Sequence, residues 1–252
     1  MHNLRSTLLI ALCWPLLAGV ALPQNTTIAP ALRSAVPILC TENRLAAHTR
    51  VRGTGLIADS GGSLLTAAHV IEQARGDCTL SVLVPDQEWS RVREMHTFLV
   101  RDCRINQPLD LAVCRLRPAE SSRDWGLLRP ARIRFRPPIP SEAISVTAFT
   151  GFGLLPFTSI GHVKGRQTYE RKDGCYCSFA TDVAATEGMS GSPVISAQGE
   201  VLGILTLAGT GRFRGISFGV SFDEAAAFLR AQGVVVAPDF PRASISPLPR
   251  TR

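Results

Sequence analysis

Three residues far apart in the chain have the types and settings for nucleophilic chemistry: His69, Asp110 and Ser190. His69 ends the run Leu64-Leu65-Thr66-Ala67-Ala68, a strand-like approach that closes on two small residues. Asp110 stands just ahead of the apolar stretch Leu111-Ala112-Val113. Ser190 lies in Glu187-Gly188-Met189-Ser190-Gly191-Ser192-Pro193, a glycine-flanked turn that opens into a strand. Each alone has an ordinary explanation as a packed histidine, a turn-forming aspartate or a plain turn. Their joint occurrence in the order His, Asp, Ser points to chemistry. A serine hydroxyl is a weak nucleophile near neutral pH, and a hydrogen-bonded imidazole can take its proton during attack and return it to a leaving amine. A carboxylate behind the imidazole fixes its tautomer and stabilises the imidazolium. The glycines let the backbone turn amide N–H groups toward a developing oxyanion, where one donor is worth about 10²–10³ in turnover.

Such residues need a rigid frame, and the surrounding pattern is one of short apolar runs separated by turns. One group runs from Val36 to Leu116 and a second from Glu142 to Val220. Turn signals include Asp59-Ser60-Gly61-Gly62, Gly151-Phe152-Gly153, Asp173-Gly174 and Gln198-Gly199. Many short strands with regular turns predict an all-β sandwich or barrels. The stretch from Pro118 to Pro140, rich in Pro and Arg, reads as the connection. A single helix is expected after Ser221 or Asp223, with Phe222, Ala226 and Leu229 as its apolar face and Gly233 as its stop. Residues 22–35 read as a flexible leader to the first strand, and residues 237–252 as a disordered tail.

Composition sets the class. The chain has 252 residues, 45% of them hydrophobic and 19% charged, which is ordinary for a globular protein. Residues 1–21 have the form of a signal peptide: Arg5, an apolar run from Leu8 to Leu17, then Gly19 and Ala21 as small residues before a cut. The run is short for a bilayer span of about 20 residues and is broken by Pro15. The expected location is therefore secreted or periplasmic, with no stable membrane insertion after signal removal. Beyond the signal, Cys40, Cys78, Cys103, Cys114, Cys175 and Cys177 remain, and an even count in an exported chain favours disulfides. Their pairing stays open among 15 possibilities. Cys175 and Cys177 share a strand face and should bond elsewhere rather than to each other. No two-by-two ligand spacing indicates a metal site, and no cofactor is expected. The net charge of +7 is almost all arginine. Its densest run, Arg129, Arg132, Arg134 and Arg136, reads as a solvated linker face, and no nucleic-acid-binding motif accompanies it.

At Thr66-Ala67-Ala68-His69, Asp110-Leu111-Ala112-Val113 and Gly188-Met189-Ser190-Gly191-Ser192-Pro193 the chain resembles the trypsin/chymotrypsin family of serine peptidases, in particular exported bacterial members. The resemblance spans roughly residues 36–233. It implies two six-stranded antiparallel β-barrels with a C-terminal helix, the first over residues 36–128, a linker at 129–140 and the second with the helix over 141–236. The catalytic residues would be His69, Asp110 and Ser190, meeting in the cleft between barrels, with the N–H groups of Gly188 and Ser190 as oxyanion donors. By motif alignment, Ala184, Ala185, Thr206, Ala208 and Gly215 would line the pocket for the substrate side chain. That lining is uncharged and suits a small or medium apolar residue. Met189 stands where members activated by cutting carry Asp, so activation by a new amino terminus is not expected. No peptide-binding domain of the HtrA kind is expected after Gly233.

The implied function is hydrolysis of protein or peptide substrates by a serine endopeptidase through an acyl-enzyme. The alternative is a non-catalytic module that uses the same barrels to bind a partner. A small-ester hydrolase of the α/β type would need Ser before Asp before His and alternating helices, and this chain has neither. Oligomeric state is not legible.

Overall fold

The structure, a computed structural model, describes residues 29–42, 48–74, 76, 78–120, 122–151, 153–170 and 176–234. The expected signal peptide, the expected tail and Cys175 lie outside these residues. In chain order the first elements are α1 (Ala29–Ser34), β1 (Ala35–Glu42), β2 (Thr49–Ile57), β3 (Ser63–Ala67), α2 (Ala68–Glu72), β4 (Cys78–Pro85), β5 (Met95–Asn106) and β6 (Leu111–Pro118). The six strands close into an antiparallel barrel in the order β1-β2-β3-β6-β5-β4. After it come β7 (Arg132–Ile133), β8 (Ala143–Ala148), β9 (Phe157–Glu170), β10 (Tyr176–Thr181), β11 (Pro193–Ser196), β12 (Glu200–Ala208), β13 (Ser217–Ser221) and α3 (Phe222–Ala231). Here the order is β11-β8-β9-β10-β13-β12, and pairing of β11 with β12 closes the second barrel. The two-barrel, all-β fold with a terminal helix is therefore what the chain adopts.

Several strands read as unbroken apolar runs because both of their faces are buried. Successive side chains of a strand point to opposite sides. On β3, Leu64 fills the interior of the first barrel while Leu65 faces the second barrel. On β2, Ile57 and Leu56 divide the same way. Leu56, Leu65, Leu111 and Val113 meet Ile195, Val201, Ile204, Val220, Phe222 and Leu229 in one inter-barrel core. Fully burying each such side chain contributes about 1.5–3 kcal/mol, so the cleft between barrels has stiff walls.

Four expectations need correcting. Residues 29–34 are not loose: they form α1, whose Ala31 is buried in the inter-barrel core. In α3 the inward positions are Phe222, Ala225 and Leu229, spaced by three and four, so Ala225 and not Ala226 completes the face. Ser221 does not cap that helix through its side chain. Its N–H donates to Ser178 Oγ at 2.7 Å and the two hydroxyls lie 2.9 Å apart.

The arginine run is also not simply a solvated face. β7 lies parallel beside β12, and the Arg134 N–H donates to the Val201 carbonyl at 2.9 Å. Arg134 is buried and holds Glu142 by two bonds of 2.6 and 2.8 Å. Burial pushes the Glu142 carboxyl up, but the Arg134 fork and the Ile139 N–H outweigh it and leave the group below its ordinary 4.5. Arg136 meets Glu200 at 2.9 Å. Arg132, Arg134 and Arg136 are two residues apart and share the face that meets Glu200, but only Arg134, which also holds Glu142, is buried.

Disulfides join Cys40 to Cys78 and Cys103 to Cys114. The first ties β1 to β4, the second β5 to β6, so both lie in the first barrel.

Candidate active site

Strand β3 carries the chain to the inter-barrel cleft and α2 begins there, which sets His69 at the first turn of a short helix. Ala67 and Ala68 are both buried, and their small side chains let the nucleophile turn come close. Asp110 closes the tight turn before β6. Its φ of 49° is in the left-handed region, which Asp tolerates better than most residues. Its N–H is held by the Gln107 carbonyl at 3.0 Å. Ser190 sits on the turn before β11, at the end of the second barrel that faces the first.

The three side chains converge. His69 Nδ1 lies 2.8 Å from Asp110 Oδ2, and His69 Nε2 lies 2.8 Å from Ser190 Oγ. Asp110 Oδ1 accepts the His69 backbone N–H at 3.0 Å, and the Asp110 carbonyl accepts the Ala68 N–H at 2.9 Å. Asp110 is buried with 3% of its surface exposed, whereas the His69 side chain keeps 26%. A fixed carboxylate thus stands behind an imidazole that remains open to an incoming molecule. Nothing more is needed to accept a proton from Ser190 Oγ and hand it on.

The backbone around Ser190 is set by positions that only glycine fits. Gly188 has φ of 89°, and a Cβ there would run into the Phe149 carbonyl and stand 2.9 Å from Thr150 Cα. Gly191 has φ of 84°, and a Cβ there would collide with Thr54 O and Thr66 Oγ1. The Gly191 N–H is taken by the Leu205 carbonyl at 2.7 Å. Among the described residues the N–H groups of Gly188 and Ser190 have no internal acceptor, so both are available to an oxyanion beside Ser190 Oγ.

A residue that sequence reading missed holds this turn. Thr54 on β2 is buried, and its Oγ1 donates to the Gly188 carbonyl at 3.0 Å while accepting the Phe149 N–H at 3.0 Å. Its own N–H donates to the Ser190 carbonyl at 2.9 Å, and its carbonyl accepts Thr66 Oγ1 at 2.9 Å. Four bonds thus run from one residue of the first barrel to the nucleophile turn, to Phe149 of the second barrel and to the approach to His69. The signal was present as Gly53-Thr54-Gly55, since glycines inside a strand mark close approach of another backbone. A Cβ on Gly53 would lie 2.9 Å from the Ser190 carbonyl.

Met189 is 1% exposed and packs with Val183, Val194, Leu202 and Leu205 in the second-barrel core. An apolar anchor therefore holds the turn at the position where an ion pair was not expected.

The residues expected to line a side-chain pocket divide. Ala184, Ala208 and Gly215 are exposed, and Ala185 is half-buried. Thr206 is buried instead, with Oγ1 3.5 Å from Cys177 Sγ. The pairing of β12 with β13 shifts register between Leu205 and Leu207, and at this irregularity the Thr206 side chain is buried beside Cys177. Just before this region, Asp182 accepts the His162 N–H at 2.6 Å, and that bond holds its carboxyl below the ordinary 3.8.

With this geometry in view, the comparisons with known proteins are specific. A family profile described as a trypsin-like peptidase domain matches residues 53–204. A putative serine protease HhoA of Synechocystis is 30% identical over 207 residues, which are 80% of this chain and 48% of that protein. The human serine protease HTRA3 is 27% identical, over 70% of this chain and 37% of its own length. A probable periplasmic serine endoprotease DegP-like of Hahella chejuensis is 26% identical, over 69% and 34%. The chain thus spans about half or less of these relatives.

Proposed function

Since the chain belongs to the trypsin-like peptidase family, we propose that it is a serine endopeptidase that cuts protein or peptide substrates after a small or medium apolar residue. The observation that carries this reading is the contact chain from Asp110 through His69 to Ser190, beside two amide donors without internal acceptors.

In the first half-reaction His69 Nε2 takes the Ser190 Oγ proton as that oxygen bonds to the substrate carbonyl carbon. The carbonyl π electrons move to its oxygen, which the Gly188 and Ser190 N–H groups receive. When the tetrahedral intermediate collapses, the carbon–nitrogen bond breaks and His69 gives the proton to the departing amine. An acyl-Ser190 ester remains. Water then repeats the sequence, with His69 as base, and releases the acid. Asp110 stays ionised and holds the imidazole in one tautomer throughout.

Substrate would lie extended against the 206–208 edge of β12. Strand pairing of this kind gives affinity through the main chain and selectivity through alternate side chains. Ala184, Ala185, Ala208 and Gly215 bring no charge to the first of those side chains. Two disulfides and the N-terminal apolar run support export, secreted or periplasmic, after removal of residues 1–21. Among the described residues no helix is long and apolar enough to cross a membrane.

A peptide library digested by the mature protein and mapped by mass spectrometry tests the reading. Cuts after Ala, Val or similar residues, absent with Ser190→Ala, are expected. Cuts that survive Ser190→Ala, or no cuts at all, would overturn it.

A further inference from the structure

Arg212 and Arg214 stand on the loop between β12 and β13, and the proposed substrate path leads to that loop. The neck of the loop is closed by the Gly209 N–H donating to the Ile216 carbonyl at 2.8 Å. Inside it, the Phe213 N–H bonds the Thr210 carbonyl at 3.0 Å and the Ile216 N–H bonds the Phe213 carbonyl at 3.0 Å. Phe213 packs with Leu207 and Ile216 against buried Cys177, Ala180 and Phe218. The loop is therefore anchored to the barrel rather than hanging from it. Arg212 lies over the Phe213 ring, 4.9 Å from its centroid, which restrains the guanidinium at the loop surface. Arg214 is exposed. Among the described residues neither guanidinium has a carboxylate within ion-pair range. Most other arginines near the second barrel do: Arg134, Arg136 and Arg166 each meet one.

We infer that Arg212 and Arg214 select substrates with an acidic residue three to five positions before the scissile bond. This rests on the endopeptidase reading and on the antiparallel path along β12. Leu205 is tied to the nucleophile turn by the Ser192 carbonyl at 2.9 Å, so the residue next to the cut lies near Thr206. Each further substrate residue advances about 3.4 Å toward Ala208 and then the loop. Acid is favoured there and not at the cut, where exposed Glu187 borders Gly188 and repels a second carboxylate. The net charge of +7 adds long-range attraction for acidic chains.

The test uses two peptides that share a cleavage site and differ only in Glu or Gln four residues before it. For exposed charge pairs, kcat/KM should favour the Glu peptide by about 3- to 10-fold in low salt. The ratio should fall to about 1 in Arg212→Gln/Arg214→Gln, persist in Arg212→Lys/Arg214→Lys and shrink in high salt. Binding of the same peptides to Ser190→Ala, read by fluorescence anisotropy, gives the preference without turnover. A ratio near 1 in the native protein, or one that survives the Gln pair, overturns the inference alone. No cleavage of either peptide, with Glu still preferred in binding, would sink the endopeptidase reading and with it the placement relative to a cut, and leave only the preference of Arg212 and Arg214 for an acidic peptide. Neither cleavage nor preferential binding overturns both.

Discussion

Thr54→Val removes one oxygen and leaves the volume of the side chain nearly unchanged. The lost hydroxyl donates to the Gly188 carbonyl and accepts the Phe149 N–H, each at 3.0 Å, in a residue with 0% exposure. Both partners then become buried groups without a bond, at about 1–3 kcal/mol each. The direct cost is about 2–6 kcal/mol, lowered by whatever shift lets the turn find other partners. At about 2–4 °C per kcal/mol for a domain of this size, the melting temperature should drop by at least about 4 °C. Turnover should suffer separately, because the Gly188 carbonyl anchors the residue whose N–H is proposed to receive the oxyanion. Complete loss of one donor is worth about 10²–10³, so a misdirected one should lower kcat by about 10- to 100-fold with KM nearly unchanged. Thr54→Ser keeps the oxygen and should recover most of kcat. Steady-state kinetics at a temperature well below both melting points separates the two effects. If Thr54→Val is less stable but turns over at the native rate, the hydroxyl only braces the fold and the argument for its positioning role is wrong.

Met189 gives a second prediction. Met189→Ala opens a cavity in the second-barrel core and should destabilise by about 2–5 kcal/mol, while Met189→Leu should cost under about 1.5 kcal/mol, as denaturant titration would read. Limited digestion of the mature protein at its amino end should not raise activity, since no ion pair waits for a new terminus. Replacing Cys40 and Cys78 together by Ser frees a loop with a sequence separation of 38, and chain entropy puts the loss at about 4 kcal/mol. Glu142→Gln takes the charge from a half-buried carboxylate paired with the buried Arg134 and should cost about 1–3 kcal/mol at neutral pH, measured by chemical unfolding. Because the folded Glu142 carboxyl titrates below its ordinary 4.5, its contribution is complete above that value and is lost as pH falls through the folded one. The native protein should therefore lose more stability than Glu142→Gln on acidification. Equal acid limbs would contradict this.

The barrels were legible because strand runs, turn residues and three short motifs all pointed one way. His69, Asp110 and Ser190 stood out since each needs a distinctive neighbour: small alanines, a strand start, flanking glycines. Thr54 did not stand out, because a threonine in a strand is ordinary and its four bonds all reach residues distant in sequence, such as Gly188 and Phe149. Arg134 was misread for a related reason. Charge predicts solvent, and only the pairing of β7 with β12 turns that one arginine toward Glu142. Helix α1 was hidden by its short length, which gives no full period of apolar spacing, and by its dependence on a core built from both barrels. Thr206 was placed by analogy along β12, and the register shift between Leu205 and Leu207, invisible in the sequence, set its direction instead.

The central claim is that Ser190 is a nucleophile driven by His69. Intact-mass spectrometry of the mature protein after brief treatment with a fluorophosphonate reads this directly. A single adduct mapped to Ser190, lost in Ser190→Ala and strongly slowed in His69→Ala, is the predicted result. A folded native protein that takes up no label, or takes it up at another residue, would contradict the account.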